Sequence, residues 1–195
     1  MNRSIKIYRL TAAALLCAVG IVIPMFSPLR VVLEPASFTL ASHVAVFLSM
    51  LISPAVAIAV SIGTTIGFFL GGFPLVIVLR ALTHVVFACA GAFWLKRHPH
   101  TLLSPAKTAG FCGAISLLHG VCEVLVVIPF YFGNLLAPKN YDTPFIYSVI
   151  LLVGVGTFIH SSVDFYISLL LWRVLTKNRE IAKISTVTFN RAPLE

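Results

Sequence analysis

The sequence predicts an all-α integral membrane protein, a compact bundle of six transmembrane helices with both termini in the cytoplasm. Three observations predict it. Of the 195 residues, 59% are hydrophobic and only 10% charged, against about 25% charged in a soluble domain, and the mean hydropathy is +1.01. Apolar stretches recur at lengths close to the roughly 20 residues that a helix needs to cross the hydrocarbon core. Finally, the positive charges gather in segments whose alternation fits that number of crossings. A single integral domain, residues 1–195, is expected to fill the chain. No GxxxxGK[ST] sequence is present to cradle a nucleotide.

Span 1 covers about 10–26, an apolar run behind Arg3, Lys6 and Arg9. It resembles a signal peptide, but no small-x-small site follows, so it is expected to stay as a span. Residues 27–40 hold two prolines, Pro28 and Pro35, and no helical period, which predicts an apolar loop. From Ala41 to Gly72 the chain is apolar for 32 residues, about 48 Å if it formed one helix, which overshoots a core of about 30 Å. Ser53-Pro54 near its middle predicts a tight hairpin of span 2 (38–52) and span 3 (55–71). Span 4 follows at 74–95, span 5 at 108–130 and span 6 at 145–171. Residues 177–195 are a cytoplasmic tail.

Eleven of the 14 Lys and Arg fall in three segments, residues 3–9, 96–107 and 173–191. The positive-inside rule places all three in the cytoplasm, which requires an even number of crossings between the first two. The same parity puts 27–40, Gly72-Phe73 and 131–144 outside. Orientation thus accounts for a net charge of +8, and nucleic acid is not an expected partner. Cys17, Cys89, Cys112 and Cys122 lie inside apolar stretches without CxxC spacing, which predicts packing rather than a disulfide or metal knuckle.

Ionisable side chains inside a membrane span mark functional positions. Seven occur here: His43, Arg80, His84, His119, Glu123, His160 and Asp164. Six of them pair at i,i+4, so each pair shares a helix face. At about 1.5 Å per residue, Arg80 and Glu123 lie about 9 and 10 Å below the outer ends of their spans, whereas His160 and Asp164 lie about 22 and 28 Å down. This predicts an outward-facing small-molecule pocket at the Arg80–Glu123 level, roofed by 27–40 and 131–144 and floored by imidazoles, with His160/Asp164 in the inner half. Arg80 is the candidate anion anchor, because a guanidinium presents a planar fork to a carboxylate. It could equally pair with Glu123 to join spans 4 and 5, and a ligand could replace that partner. The candidate binding set is Arg80, Glu123, His43, His84, His119, Tyr131, Asn134 and Tyr147, with Phe73 and Tyr141 nearby in the outer loops. Gly63, Gly67 and Gly71 recur at four-residue spacing and suit close helix packing. Ala14 and Ala18 put a smooth face on span 1.

These features together resemble the substrate-binding S components of energy-coupling factor (ECF) vitamin transporters. The residues that carry the resemblance are Ala14 and Ala18, the segment Pro35-Ala-Ser-Phe-Thr-Leu-Ala-Ser-His43, Ser53-Pro54 and Gly63-Thr-Thr-Ile-Gly67, and they look most like a niacin-type member. The resemblance implies a water-soluble vitamin or precursor bound near the outer face under residues 27–40, niacin first, with pantothenate or a hydroxymethylpyrimidine as alternatives. It further implies a prokaryotic cell-membrane location, contact through Ala14 and Ala18 with a membrane coupling subunit, and two cytoplasmic ATPases whose ATP hydrolysis topples the S component. On that reading the chain is not an enzyme and carries no cofactor or metal of its own. Two other readings compete with it. One is an intramembrane metal enzyme using His119/Glu123 and His160/Asp164, which the depth difference opposes. The other is a stand-alone proton-coupled carrier, which would call for inverted repeats that are not evident.

Overall fold

A long apolar helix opens the chain: α1 (Arg3–Phe26). In the computed structural model, which describes residues 3–33 and 36–187, α1 buries Ala13, Gly20 and Pro24 and leaves Leu10, Leu15, Val22 and Phe26 exposed. It therefore sits at the rim of the bundle with a hydrophobic face turned outward.

Where an irregular loop is expected, residues 30–33 and 36–39 pair as antiparallel strands, β1 (Arg30–Leu33) and β2 (Ala36–Thr39), in a hairpin that sets Val31 opposite Phe38. β-Branched and aromatic residues favour the extended chain here. The expected span 2 is shortened accordingly. Its helix, α2 (Val44–Ile52), has nine residues, all buried, as expected of a helix that is hydrophobic on every side. α2 packs against α1, α3, α4 and α6 and is the axis of the fold.

The break at Ser53-Pro54 is as the sequence predicts. Ser53 is extended (φ −176°), and its Oγ accepts the Val56 N–H at 3.3 Å, capping α3 (Pro54–Leu70) with proline in the first turn. α3 runs back along α1, and Gly63 and Gly67 make the approach close. A Cβ on Gly63 would come within 2.5 Å of Cys17 Sγ, and one on Gly67 would run into Ile21.

α4 (Leu75–Arg97) and α5 (Pro105–Phe132) follow, separated by a short 3₁₀ turn at Thr101–Leu103. The last long helical stretch begins as ten residues of π-helix, Ile146–Val155, and continues as α6 (Gly156–Leu175). α1, α4, α5 and Ile146–Leu175 are each long and apolar enough to cross a membrane, and α3 is slightly shorter. The chain is thus an all-helical, multi-pass membrane protein with one small β-hairpin.

Beyond α6, a short helix, α7 (Arg179–Ile184), folds back on the bundle instead of trailing from it. Thr186 donates its backbone N–H and its hydroxyl to Leu51 O, both at 2.9 Å, and Arg9 reaches Ile184 O at 3.3 Å. The start of α1, the end of α2 and the C-terminal segment therefore gather at one end of the bundle. Arg191 lies outside the described residues.

Candidate functional site

At the opposite end, a cavity of about 70 Å³ opens between the helix ends and the hairpin. Its wall is apolar and aromatic: Phe38 of β2, Phe68 of α3, Phe73 in the α3–α4 turn and Ile77 of α4. Phe68 and Phe73 stack on each other, with ring centroids 4.7 Å apart. The polar part of the lining is Ser42, His43, Arg80, His84, Glu123, Thr157 and His160. Beneath it, Phe87 closes the floor, 4.3 Å from the His119 ring and 5.6 Å from Phe47.

Arg80 and Glu123 do pair. Arg80 Nε and Nη2 donate to Glu123 Oε2 at 3.1 and 2.6 Å, and the Thr157 hydroxyl donates to the same oxygen at 2.7 Å. Oε1 instead faces two imidazoles, with His119 Nε2 at 3.4 Å and His84 Nε2 at 3.8 Å. Close packing sets this up. A Cβ on Gly120 would lie 2.8 Å from Gly154 O, so α5 runs tight against the chain leading into α6, and Glu123, one turn beyond His119, reaches Thr157.

The predicted separation of His160 and Asp164 from this level is wrong. Asp164 accepts the Ala41 N–H at 2.8 Å and the His43 N–H at 2.9 Å, lies 3.2 Å from His43 Nδ1, and has His160 Nε2 3.4 Å away. His160 lines the cavity, touches Ser42 Oγ at 3.1 Å and packs against Phe38. Two features defeat the depth count. β2 and the turn after it carry the chain down into the bundle before α2 begins, so His43 starts deep. The π-helical stretch closes i→i+5 rings, so its wider turns advance the chain less per residue than an α-helix would.

His43 is the hub of the polar group. Its ring lies 4.9 Å from His84, 4.7 Å from His119 and 5.0 Å from His160, each nearly perpendicular to it. His119 is completely buried behind the lining and holds Ser161 Oγ at 3.1 Å through Nδ1. Donor atoms of His43, His84, His119 and Glu123 lie within 4.8 Å of one another, and so do those of His43, His160 and Asp164.

Tyr131, Asn134 and Tyr147 are not brought to the cavity, and segment 131–144 does not roof it among the described lining residues. Tyr131 packs on Tyr141 and Phe145 and donates to Thr143 O at 3.3 Å. Asn134 takes a left-handed conformation (φ 55°) in the turn that ends α5, a role asparagine tolerates well. Tyr147 is exposed at the start of the π-helical stretch. Sequence reasoning missed Phe68, Ile77, Ser42 and Thr157, which look like packing residues in a linear reading. Ala14 and Ala18 are exposed, on the face away from buried Ala13.

No family model matches this chain, and no solved structure does. The niacin transporter NiaX of Lactococcus lactis subsp. cremoris (strain MG1363) is 37% identical over 177 residues, which cover 90% of this chain and 78% of the relative. Together with the apolar helices and the residues that resemble S components, this similarity shows that the chain belongs to the niacin-type family of ECF-transporter S components.

Proposed function

We propose that this chain binds nicotinate at the outer face of the cell membrane and hands it inward as the substrate-specific subunit of an ECF importer. The observation that carries the reading is the cavity itself, which sets a guanidinium in an aromatic wall. Nicotinate is one planar ring with one carboxylate. Its ring suits Phe38, Phe68 and Phe73, and its carboxylate suits Arg80, supplemented by the Thr157 hydroxyl. The Arg80–Glu123 pair is then the resting arrangement, in which the carboxylate of Glu123 keeps the fork oriented until a ligand carboxylate competes for it.

In this reading there are six crossings, α1 to α6, with the hairpin completing the outer half of the second. The nine residues of α2 make a helix about 14 Å long, too short to cross alone. Both termini face the cytoplasm. The contacts of Arg9 with Ile184 and of Leu51 with Thr186 support this by joining the basic segments at one end, away from the cavity. The exposed Ala14 and Ala18 are the contact face for a membrane coupling subunit, and two ATPases drive the toppling that releases the vitamin.

The test is uptake of labelled nicotinate by cells that lack their own niacin uptake. The expected result is accumulation when the chain is expressed with a coupling module, and none when the ATPases carry inactivating substitutions. ATP-independent uptake by the chain alone would contradict the subunit reading.

A further inference from the structure

Beneath the cavity, four donors converge in a way that a vitamin pocket does not by itself require. We infer that His43, His84, His119 and Glu123 form a binding site for a divalent transition metal of the zinc class. The site rests on these donors alone. Its consequence for ligand binding, given below, rests on the nicotinate reading.

The geometry is that of ligands around one ion. The rings of His43, His84 and His119 are mutually close to perpendicular, at 73°, 74° and 90°, with centroids 4.9, 4.7 and 5.0 Å apart. Three imidazoles bound to one tetrahedral zinc at about 2.0–2.1 Å have centroids roughly 5 Å apart. Glu123 Oε1 lies 3.4 Å from His119 Nε2 and 3.8 Å from His84 Nε2, and donor atoms around such an ion lie about 3.3–3.5 Å apart. The donor atoms of all four residues lie within 4.8 Å of one another, so inward movements of His43 and His84 of about an ångström complete the set.

A second, independent observation points the same way. His119 Nε2 is fully buried and has no hydrogen-bond partner among the described residues. With Nδ1 at Ser161 Oγ, Nε2 is left facing Glu123 Oε1 at 3.4 Å, where a proton or a cation between the two satisfies both.

Three of the four donors are also held from behind. Asp164 is 3.2 Å from His43 Nδ1, which leaves Nε2 for a ligand. Ser161 fixes His119. Arg80 and Thr157 occupy Glu123 Oε2, which leaves Oε1. Carboxylates and hydroxyls behind the imidazoles are the usual outer shell of a metal site. The donors are nitrogen and oxygen without thiolate, which favours zinc, nickel or copper(II) over copper(I), and three imidazoles disfavour calcium or magnesium.

Charge gives the site a use. Arg80 against Glu123 and Asp164 leaves this buried group at −1 with neutral imidazoles, which would repel an anion. A divalent ion brings it to +1, and a monocarboxylate then neutralises it. Because His43, His84 and Glu123 also line the cavity, a ligand carboxylate or pyridine nitrogen can reach the ion.

The experiment uses the tag-free full chain in detergent, stripped with a chelator and titrated with Zn²⁺ alone, then with Co²⁺ to read the intense visible bands of a tetrahedral site. The expected result is one equivalent of metal, weakened at least 100-fold by His119→Gln or Glu123→Gln. His84→Gln, at the cavity wall, serves if the buried variants fail to fold and should cost at least tenfold. Absence of saturable Zn²⁺ binding by protein that still binds nicotinate overturns the metal site and leaves the vitamin reading standing. Zn²⁺ binding untouched by all folded variants also overturns it. One equivalent of site-dependent Zn²⁺ on a chain that ignores nicotinate upholds the metal site and removes the vitamin reading.

Discussion

Asp164 and His43 are joined twice: the carboxylate accepts the His43 backbone N–H at 2.9 Å and lies 3.2 Å from its Nδ1. Through this pair α6 holds the turn that leads from the hairpin into α2. The same carboxylate takes the N–H of Ala41 at 2.8 Å, so one side chain fixes the backbone that places both His43 and the strand carrying Phe38 at the cavity.

Asp164→Asn therefore tests that joint. A carboxamide has one acceptor oxygen where the carboxylate has two, so one of these N–H groups loses its partner in a buried place, at a cost of about 1–3 kcal/mol. Chemical unfolding in detergent should show that loss, together with weaker nicotinate binding. Full stability would mean that the turn is held by other contacts.

Ala41 sits at φ 67°, a left-handed conformation that costs a residue with a Cβ roughly 1–2 kcal/mol. Ala41→Gly should stabilise the protein by up to about 1 kcal/mol, the remainder being offset by the greater freedom of glycine in the unfolded chain. Unchanged or lower thermal stability would show that the methyl group makes compensating contacts.

Much of this arrangement was legible in the residues. Ser53-Pro54 marked the hairpin because proline cannot continue a helix, and the i,i+4 pairs marked three polar faces because water-free spans do not carry charges idly. Gly63 and Gly67 were legible as packing residues, and they meet α1. The meeting of Asp164 with His43 was not legible, because counting residues from span ends assumes that every span starts at the same level and rises at the same rate. β2 breaks the first assumption and the π-helical stretch breaks the second. Tyr131 and Asn134 were misplaced for another reason: continuity with the helix of Glu123 says nothing of direction once Gly133 and Asn134 turn the chain away.

The hairpin should order further over bound ligand. Val31 is 56% exposed, and a spin label there should lose mobility at saturating nicotinate. Gly156→Ala should interfere, because its Cβ would lie 2.6 Å from Phe38 Cζ and push that ring off the cavity wall; an affinity loss of roughly tenfold, about 1.4 kcal/mol, is expected. A label insensitive to ligand would show that the hairpin does not close over it.

Ala14→Trp and Ala18→Trp add bulk on an exposed face, so nicotinate affinity and thermal stability of the isolated chain should hold while ATP-dependent uptake is lost. Gly63→Leu is the contrasting control. It forces a side chain into Cys17 and should destabilise the bundle by about 1–3 kcal/mol or more. Uptake at the normal rate by either tryptophan variant would place the partner contact elsewhere.

Equilibrium binding of nicotinate and nicotinamide to the purified chain, wild type and Arg80→Lys, measures most directly whether this cavity recognises an aromatic acid through Arg80. Saturable one-to-one binding with nicotinate preferred is expected. In the variant, nicotinate should lose at least tenfold and nicotinamide much less, because lysine keeps the charge but not the fork. No saturable binding of nicotinate by folded wild-type protein, or an equal loss for acid and amide, would contradict recognition through Arg80.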